Sequence, residues 1–190
     1  MTRLVKLAAE LQSFLDSNSW KNCLIGGLVL QRWGEPRLTK DVDMTVLTGF
    51  GREEALVDLL LSRYAGRRED TREFALLNRV LLIKSDDGIG IDVALGALEF
   101  EERVMQRASD FNFLPDCRLR TCSAEDFVVM KAFANRDQDW VDVESVLIRQ
   151  GERLKWKQIV DELKPLAELK ESPDIVTHLE QVRRKVEKLK

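Results

Sequence analysis

The segment Asp41–Leu47, which reads DVDMTVL, restricts the fold of this chain more than any other stretch. Its β-branched and apolar residues predict a buried strand, yet two carboxylates stand near its start. Because successive strand residues point to opposite faces, Asp41 and Asp43 share one face and Val42 points to the other. The pattern is typical either of a half-exposed edge strand or of a strand whose carboxylates bind a cation.

A second apolar segment, Ile89–Leu95, contains one internal acid, Asp92. It follows the apolar run Arg79–Lys84 after Ser85-Asp86-Asp87-Gly88, and this Asp-Gly pair predicts a β-hairpin. If the second strand of the hairpin lies beside Asp41–Leu47, the acids of both strands converge on one face. Mg²⁺ and Mn²⁺ prefer oxygen ligands, so the two segments together predict a divalent metal site.

Two glycines, Gly26 and Gly27, lie between a short predicted strand and a helix that continues through Arg32. The free N–H groups at such a turn and the positive end of the helix favour phosphate binding. Arg37 and Lys40, just before the acidic strand, either contact phosphate as well or only balance the two carboxylates. Acids that bind metal and amides that bind phosphate together predict a site for a nucleoside triphosphate.

The order of the predicted elements indicates an α/β (α+β) fold. A mixed β-sheet flanked by helices is expected over residues 1–115, and a helical C-terminal region over residues 116–190. A charged stretch, Ala65–Arg72, precedes the two apolar runs of the hairpin. The short runs Phe111–Leu114 and Arg118–Thr121 are expected to form edge strands. The later helices are predicted from a capping box at Ser123 to Asn135, and over Asp139–Gln150, Trp156–Leu169 and Asp174–Leu189.

Composition excludes several classes of function. The single histidine, His178, and three cysteines without a CxxC pair argue against a zinc site and against histidine-dependent nucleophilic catalysis. The sequence has no apolar run of about 20 residues and no signal peptide, so a cytoplasmic protein without a membrane segment is expected. A net charge of −3 predicts no general affinity for nucleic acid. The exception would be one basic rim formed by Arg63, Arg67, Arg68 and Arg72, whose alternative is a solvated loop.

The spacing of these motifs resembles that of the DNA polymerase β-type nucleotidyltransferase superfamily. Gly26-Gly27, a gap of thirteen residues, Asp41-Val42-Asp43 and the later Asp92 follow its pattern of glycine pair, double aspartate and third carboxylate. The segments Arg37–Asp43 and Ala124–Asp142 are most similar to the AbiEii-type branch, which is also found as toxins of bacterial abortive-infection systems. The resemblance implies a mixed-sheet nucleotidyltransferase core and transfer of a nucleoside monophosphate from an NTP, with release of pyrophosphate.

The resemblance also implies roles for individual residues. Asp41 and Asp43 would bridge two Mg²⁺ or Mn²⁺ ions, and Asp92 would complete the ion that activates the acceptor hydroxyl. Lys131 would neutralise triphosphate oxygens; the alternative is a surface lysine beside an apolar helix face. The superfamily often has serine at the position of Gly27, so a hydroxyl is missing there.

Asp139 and Asp142 lie three positions apart in a predicted helix. Either they stabilise its first turn through the helix dipole, or they orient Lys131 or Arg136. The acceptor stays open among a tRNA end, a protein hydroxyl and a small molecule. The expected protein partner is an antitoxin or a second copy of the chain. The alternative function is a non-catalytic module that binds a nucleotide or a partner on the same fold.

Overall fold

The acidic strand lies in the middle of a mixed sheet in the computed structural model, which describes residues 1–188. Within these residues the strands are β1 (Asn22–Leu24), β2 (Asp41–Leu47), β3 (Ala65–Gly66), β4 (Val80–Lys84), β5 (Gly90–Gly96), β6 (Ser109–Leu114) and β7 (Cys117–Thr121). They form one seven-stranded sheet in the order β3-β4-β5-β2-β1-β7-β6. The acidic strand β2 is therefore an inner strand, and the edge-strand interpretation of its two carboxylates is wrong.

Nine α-helices precede, connect and follow these strands in the described chain. They are α1 (Thr2–Ser17), α2 (Gly26–Trp33), α3 (Glu53–Leu61), α4 (Thr71–Asn78), α5 (Glu99–Arg107), α6 (Ala124–Ala134), α7 (Asp137–Gln150), α8 (Trp156–Leu169) and α9 (Asp174–Glu187). A 3₁₀ turn over Gly151–Arg153 follows α7. None of the helices in residues 1–188 is both long enough and apolar enough to cross a membrane.

Strands β2 and β5 are parallel neighbours, and β4 and β5 form the predicted antiparallel hairpin. Gly88 closes the hairpin turn at a φ of +81°, which explains the glycine at the end of the Asp-Gly signal. On the buried face, Met44 of β2 lies opposite Val93 of β5, and both side chains are fully buried. Apolar pairs of this kind fix the register, because a shift by one residue would turn the carboxylates into the core.

The chain forms two compact units. The first comprises residues 1–28 and 38–122 and contains the whole sheet. The second comprises residues 29–37 and those from Ser123 onward, with helices α6 to α9 around a core that includes Phe127, Val143, Ile159 and Leu179. The boundary falls within α2 and after β7. The division into a catalytic core up to residue 115 and a helical region from residue 116 stays a prediction. Strand β7, which follows residue 115, belongs to the unit that contains the sheet.

The predicted fold class is confirmed: a mixed sheet flanked by helices, followed by helices. The capping signal is also confirmed, since the Ser123 hydroxyl accepts a hydrogen bond from the Asp126 N–H at 3.0 Å and α6 begins at Ala124. Helix α8 has the predicted bounds. The predicted end of the last helix at Leu189 lies outside the described residues.

Two predictions about local structure are wrong. Helix α4 occupies Thr71–Asn78, where no helix was predicted, and it includes Arg72, which the solvated-loop alternative placed in a loop. Only Thr71 and Ala75 of this helix are buried, so its sequence shows little apolar periodicity. Strand β7 is not an edge strand, because Thr121 pairs with Leu24 of β1 and the other side of β7 pairs with β6.

We expect Leu81→Ala in β4 to lower the free energy of unfolding by about 2–5 kcal/mol, because it leaves a cavity in a fully buried position. Leu77→Ala is the matched control, since the Leu77 side chain in α4 is 84% exposed. Urea unfolding of both variants would measure the difference. Equal losses would contradict the burial of β4.

Candidate active site

The register of β2 and β5 brings the three predicted carboxylates together on one face of the sheet. Asp43 lies directly opposite Asp92, and Asp41 lies opposite Gly90. Directly paired residues of neighbouring strands point to the same side, so all three carboxylates share it. Each of these aspartates is partly exposed. The first unit of the chain therefore has an acidic cluster that solvent can reach.

The carboxylate of Asp43 lies directly against the two-glycine turn. Gly26 has a φ of +67°, and a Cβ at this position would overlap Oδ2 of Asp43. The N–H of Gly27 donates to the same oxygen at 3.4 Å, and the N–H of Ile25 donates to the Asp43 carbonyl oxygen at 3.0 Å. The predicted phosphate turn and the predicted metal-binding strand therefore contact each other.

Thr39 covers the second glycine of the turn. A Cβ on Gly27 would lie 2.7 Å from the Thr39 hydroxyl oxygen and 2.9 Å from its Cβ. A hydroxyl therefore lies beside the turn although residue 27 has no side chain. Sequence reasoning did not single out Thr39, because residues 27 and 39 are twelve positions apart and only the folded chain brings them into contact.

Arg67, which follows β3, forms an ion pair with Asp92 through its Nη2 atom. Its Nη1 atom lies 3.0 Å from the position that a Cβ on Gly90 would take, and that position also overlaps the Asp41 carboxylate. Burial raises the pKa of Asp92 above the ordinary aspartate value; Arg67 opposes this rise, and the negative charge of Asp41 adds to it. A guanidinium thus lies among the carboxylates.

The donor atoms of this cluster are suited to a divalent cation. Three carboxylates on one face of two paired strands are hard oxygen ligands of the kind that Mg²⁺ and Mn²⁺ prefer. With the side chains as placed, no group of three or more His, Cys, Asp or Glu residues among residues 1–188 could hold a metal ion. Asp92 pairs with Arg67, and Asp43 accepts from Gly27. The three aspartates are suitable metal ligands in residue type and in strand register. In the described conformation, the positive charge beside them comes from Arg67.

The other predicted phosphate ligands have contacts of their own. In the second unit, Arg37 forms a bidentate pair with Asp142, with N–O distances of 2.7 and 2.9 Å. Lys131 Nζ lies 2.8 Å from Asp139 and 2.9 Å from Asp142, and its side chain is only 11% exposed. Lys40 is exposed and directly precedes β2 in the first unit. The phosphate contacts of Arg37, Lys40 and Lys131 therefore stay predictions.

Asp139 and Asp142 are nearly fully buried. Burial raises the pKa of each, but the hydrogen bonds and charges of Arg136 and Lys131 on Asp139, and of Arg37 and Lys131 on Asp142, outweigh this effect. Both pKa values are consequently below the ordinary aspartate value. These contacts support the interpretation in which the two acids orient Lys131 and Arg136.

The arginines between residues 63 and 72 do not form a purely basic rim. Arg67 pairs with Asp92 and Arg68 with Asp70, and Arg72 pairs with both Glu54 and Asp58. The guanidinium of Arg63 lies 4.9 Å from the centre of the Phe14 ring. Since carboxylates neutralise three of these four charges, this segment does not offer a strongly positive surface to a polynucleotide.

We expect Gly26→Ala to lower the free energy of unfolding by more than Gly49→Ala. Both glycines have nearly the same positive φ, +67° and +65°. The backbone strain of about 1–2 kcal/mol is therefore common to the two variants. The added methyl group at residue 26 also meets the Asp43 carboxylate, whereas the space around residue 49 is open to 4 Å in the described structure. Denaturant unfolding measures both losses, and equal losses would contradict the contact between Gly26 and Asp43.

We expect the second unit to lose stability in acid. Asp139 and Asp142 have pKa values lowered from 3.8, so their ionised forms stabilise the fold above that pH, and this stabilisation is lost as the pH falls through the lowered values. Asp142→Asn should make the free energy of unfolding less dependent on pH between about pH 5 and pH 2. Asp110→Asn, at a half-exposed carboxylate, is the control. An unchanged pH dependence in Asp142→Asn would contradict the lowered pKa.

Comparisons with known proteins show which solved structures and which family this chain is similar to. The fold is similar to that of an antigenic nucleotidyltransferase-like protein from Paracoccidioides brasiliensis, with 17% identity, a TM-score of 0.53 and coverage of 93% of this chain and 92% of that one. It is also similar to the antibiotic-resistance factor ANT(2″)-Ia, with 15% identity, a TM-score of 0.50 and coverage of 97% and 92%. No curated protein sequence gives a match. A family model described as the nucleotidyl transferase AbiEii toxin of a type IV toxin–antitoxin system matches residues 7–163, and the chain therefore belongs to the AbiEii nucleotidyltransferase family.

Proposed function

We propose that this chain transfers a nucleoside monophosphate from an NTP to an acceptor hydroxyl and releases pyrophosphate. Membership of the AbiEii family supports nucleotidyl transfer as the general activity. The observation that supports the specific reaction is the register of β2 and β5. It places Asp92 opposite Asp43, while Asp43 contacts the Gly26-Gly27 turn. A carboxylate cluster beside backbone N–H groups is the arrangement that a metal–triphosphate complex requires.

In this proposal the chain binds the triphosphate at the N-terminus of α2. The backbone N–H groups of this turn and the helix dipole favour phosphate oxygens, which would compete with Asp43 for the long Gly27 N–H hydrogen bond. The Thr39 hydroxyl, which donates to the Asp41 carbonyl oxygen at 3.5 Å, lies beside the turn and could turn toward the phosphate. Because Gly27 has no side chain, the Thr39 hydroxyl can lie directly against the turn. These groups position the NTP and need no proton transfer of their own.

Asp41, Asp43 and Asp92 are the proposed ligands of Mg²⁺ or Mn²⁺. When bound, the cations would neutralise charge on the phosphates and lower the pKa of the acceptor hydroxyl. The three carboxylates would hold these cations next to the glycine turn, because Asp43 contacts that turn. Asp92 lies on the same face as the two metal-bridging aspartates, and we assign it the hydroxyl proton.

The proposed reaction is an in-line displacement at the α-phosphorus. The acceptor oxygen forms a bond to this phosphorus, and the bond from the phosphorus to the oxygen that bridges it to the β-phosphate breaks. Pyrophosphate leaves with the electron pair of the broken bond, and the hydroxyl proton passes to Asp92. Positioning and charge neutralisation dominate such chemistry, so the absence of histidine from the cluster is no obstacle.

The acceptor can be a tRNA end, a protein hydroxyl or a small molecule. The net charge of −3 and the ion-paired arginines of residues 67–72 favour the last two over a polynucleotide. A protein partner would be an antitoxin, as the family description suggests, or a second copy of the chain. A non-catalytic binding module is the alternative, and it would bind NTP without transfer.

The test is a panel of four α-³²P-labelled NTPs with Mg²⁺, offered in parallel to tRNA, protein and small-molecule acceptors. The wild type should label one acceptor class, and Asp41→Asn and Asp43→Asn should reduce labelling by at least about a hundredfold, because both carboxylates are assigned to the metal. Asp92→Ala should retain NTP binding in calorimetry and lose transfer. Asp110→Asn, an acid on β6 outside the cluster, should label like the wild type.

Two results would contradict the proposal. NTP binding with no labelled acceptor in any pool would favour the non-catalytic module. Equal NTP affinity in the wild type and in the Asp41 and Asp43 variants would mean that the nucleotide does not bind at these carboxylates.

A further inference from the structure

We propose that Arg67 is the built-in counterion of the acidic cluster and that a divalent cation must displace its guanidinium from Asp92. This inference rests on the metal-binding part of the proposed function and assigns a role to a residue outside the glycine and aspartate motifs. The ion pair between Arg67 and Asp92 and the position of the guanidinium over Gly90, beside Asp41, carry it.

The backbone of Arg67 is fixed at the sheet. Its N–H donates to the Leu82 carbonyl oxygen of β4 at 3.0 Å, directly after β3 pairs with β4. Leu82 in turn lies opposite Asp92 of β5. The side chain of Arg67 therefore has to cross only one strand to reach the carboxylate. An arginine attached at this point is positioned for Asp92 by main-chain hydrogen bonds.

The charges on the face of β2 and β5 that carries the aspartates indicate that the Arg67 guanidinium neutralises carboxylates. Asp41, Asp43 and Asp92 bring three negative charges to two adjacent strands, and carboxylates so close together repel each other. Lys84, opposite Gly90 on β4, is exposed to solvent, whereas the Arg67 side chain is only 29% exposed and contacts the cluster directly. Arginine cannot lose its proton in a protein, so its positive charge is present at every working pH.

A metal ion and this guanidinium need the same carboxylate. With the side chains as placed, the acids of the first unit do not form a metal site, and Asp92 is the acid that Arg67 occupies. Binding of a cation to Asp92 thus includes breaking the ion pair. The apparent affinity of the cluster for a metal is lowered by the free energy of that pair.

Calorimetric titration of Mn²⁺ alone, without nucleotide, tests this competition. Arg67→Met removes the charge and keeps an unbranched side chain, and it should bind Mn²⁺ about fivefold more tightly than the wild type, the upper range for a partly exposed ion pair. Arg68→Met is the matched control, because Arg68 is the next residue and pairs with Asp70 outside the cluster. It should bind Mn²⁺ like the wild type.

Thermal unfolding provides a second readout. Without metal, Arg67→Met should have a lower Tm than Arg68→Met, because the three carboxylates then repel without compensation, and saturating Mn²⁺ should reverse more of this loss than it does in the control. In an Asp92→Asn background, Arg67→Met should leave the remaining Mn²⁺ affinity unchanged. Equal Mn²⁺ affinity of wild type and Arg67→Met, or no Mn²⁺ binding by either protein, would overturn the inference.

These outcomes are separate from the test of the proposed function. Tighter Mn²⁺ binding by Arg67→Met together with no nucleotidyl transfer would support the counterion and contradict the enzyme. Nucleotidyl transfer by a wild type whose Mn²⁺ affinity does not change in Arg67→Met would support the enzyme and contradict the counterion.

Discussion

Repulsion among three carboxylates is the constraint on which the first unit of this protein depends. The parallel pairing of β2 and β5 sets Asp43 opposite Asp92, with Asp41 on the same face. Partial burial increases the cost of these charges, since charge is less well solvated there than in open water. The unit offsets this cost locally: Gly27 donates an N–H to Asp43, and Arg67 pairs with Asp92. Each of these contacts requires a backbone position that only the folded sheet provides.

Local sequence signals predicted the parts of this structure that depend on neighbouring residues. The alternation of Asp41, Val42 and Asp43 identified the acidic face, the Asp-Gly pair identified the hairpin, and Ser123 identified the start of α6. Helix α4 was not predicted, because its buried positions are few and charged residues dominate its first turn. The inner position of β7 depends on a single parallel pairing with β1, which no local pattern reveals.

The contacts within the candidate site could not be predicted from local sequence signals either. Arg67 and Asp92 are 25 positions apart, and no spacing rule relates an arginine after a two-residue strand to an acid two strands away. In the second unit, Arg37 meets Asp142 across 105 positions. A sequence shows which residues are charged but does not show which of them form ion pairs. The pairing becomes visible only when strand order and helix packing are known.

The contact between Gly27 and Thr39 has a consequence for how this sequence can vary. A side chain at residue 27 would collide with the Thr39 hydroxyl and Cβ, so these two positions share one small volume beside the turn. A residue larger than glycine at 27 fits only if residue 39 becomes smaller or turns away. Substitutions at the two positions should therefore be strongly non-additive. Among relatives of this protein, we therefore expect residues 27 and 39 to change together.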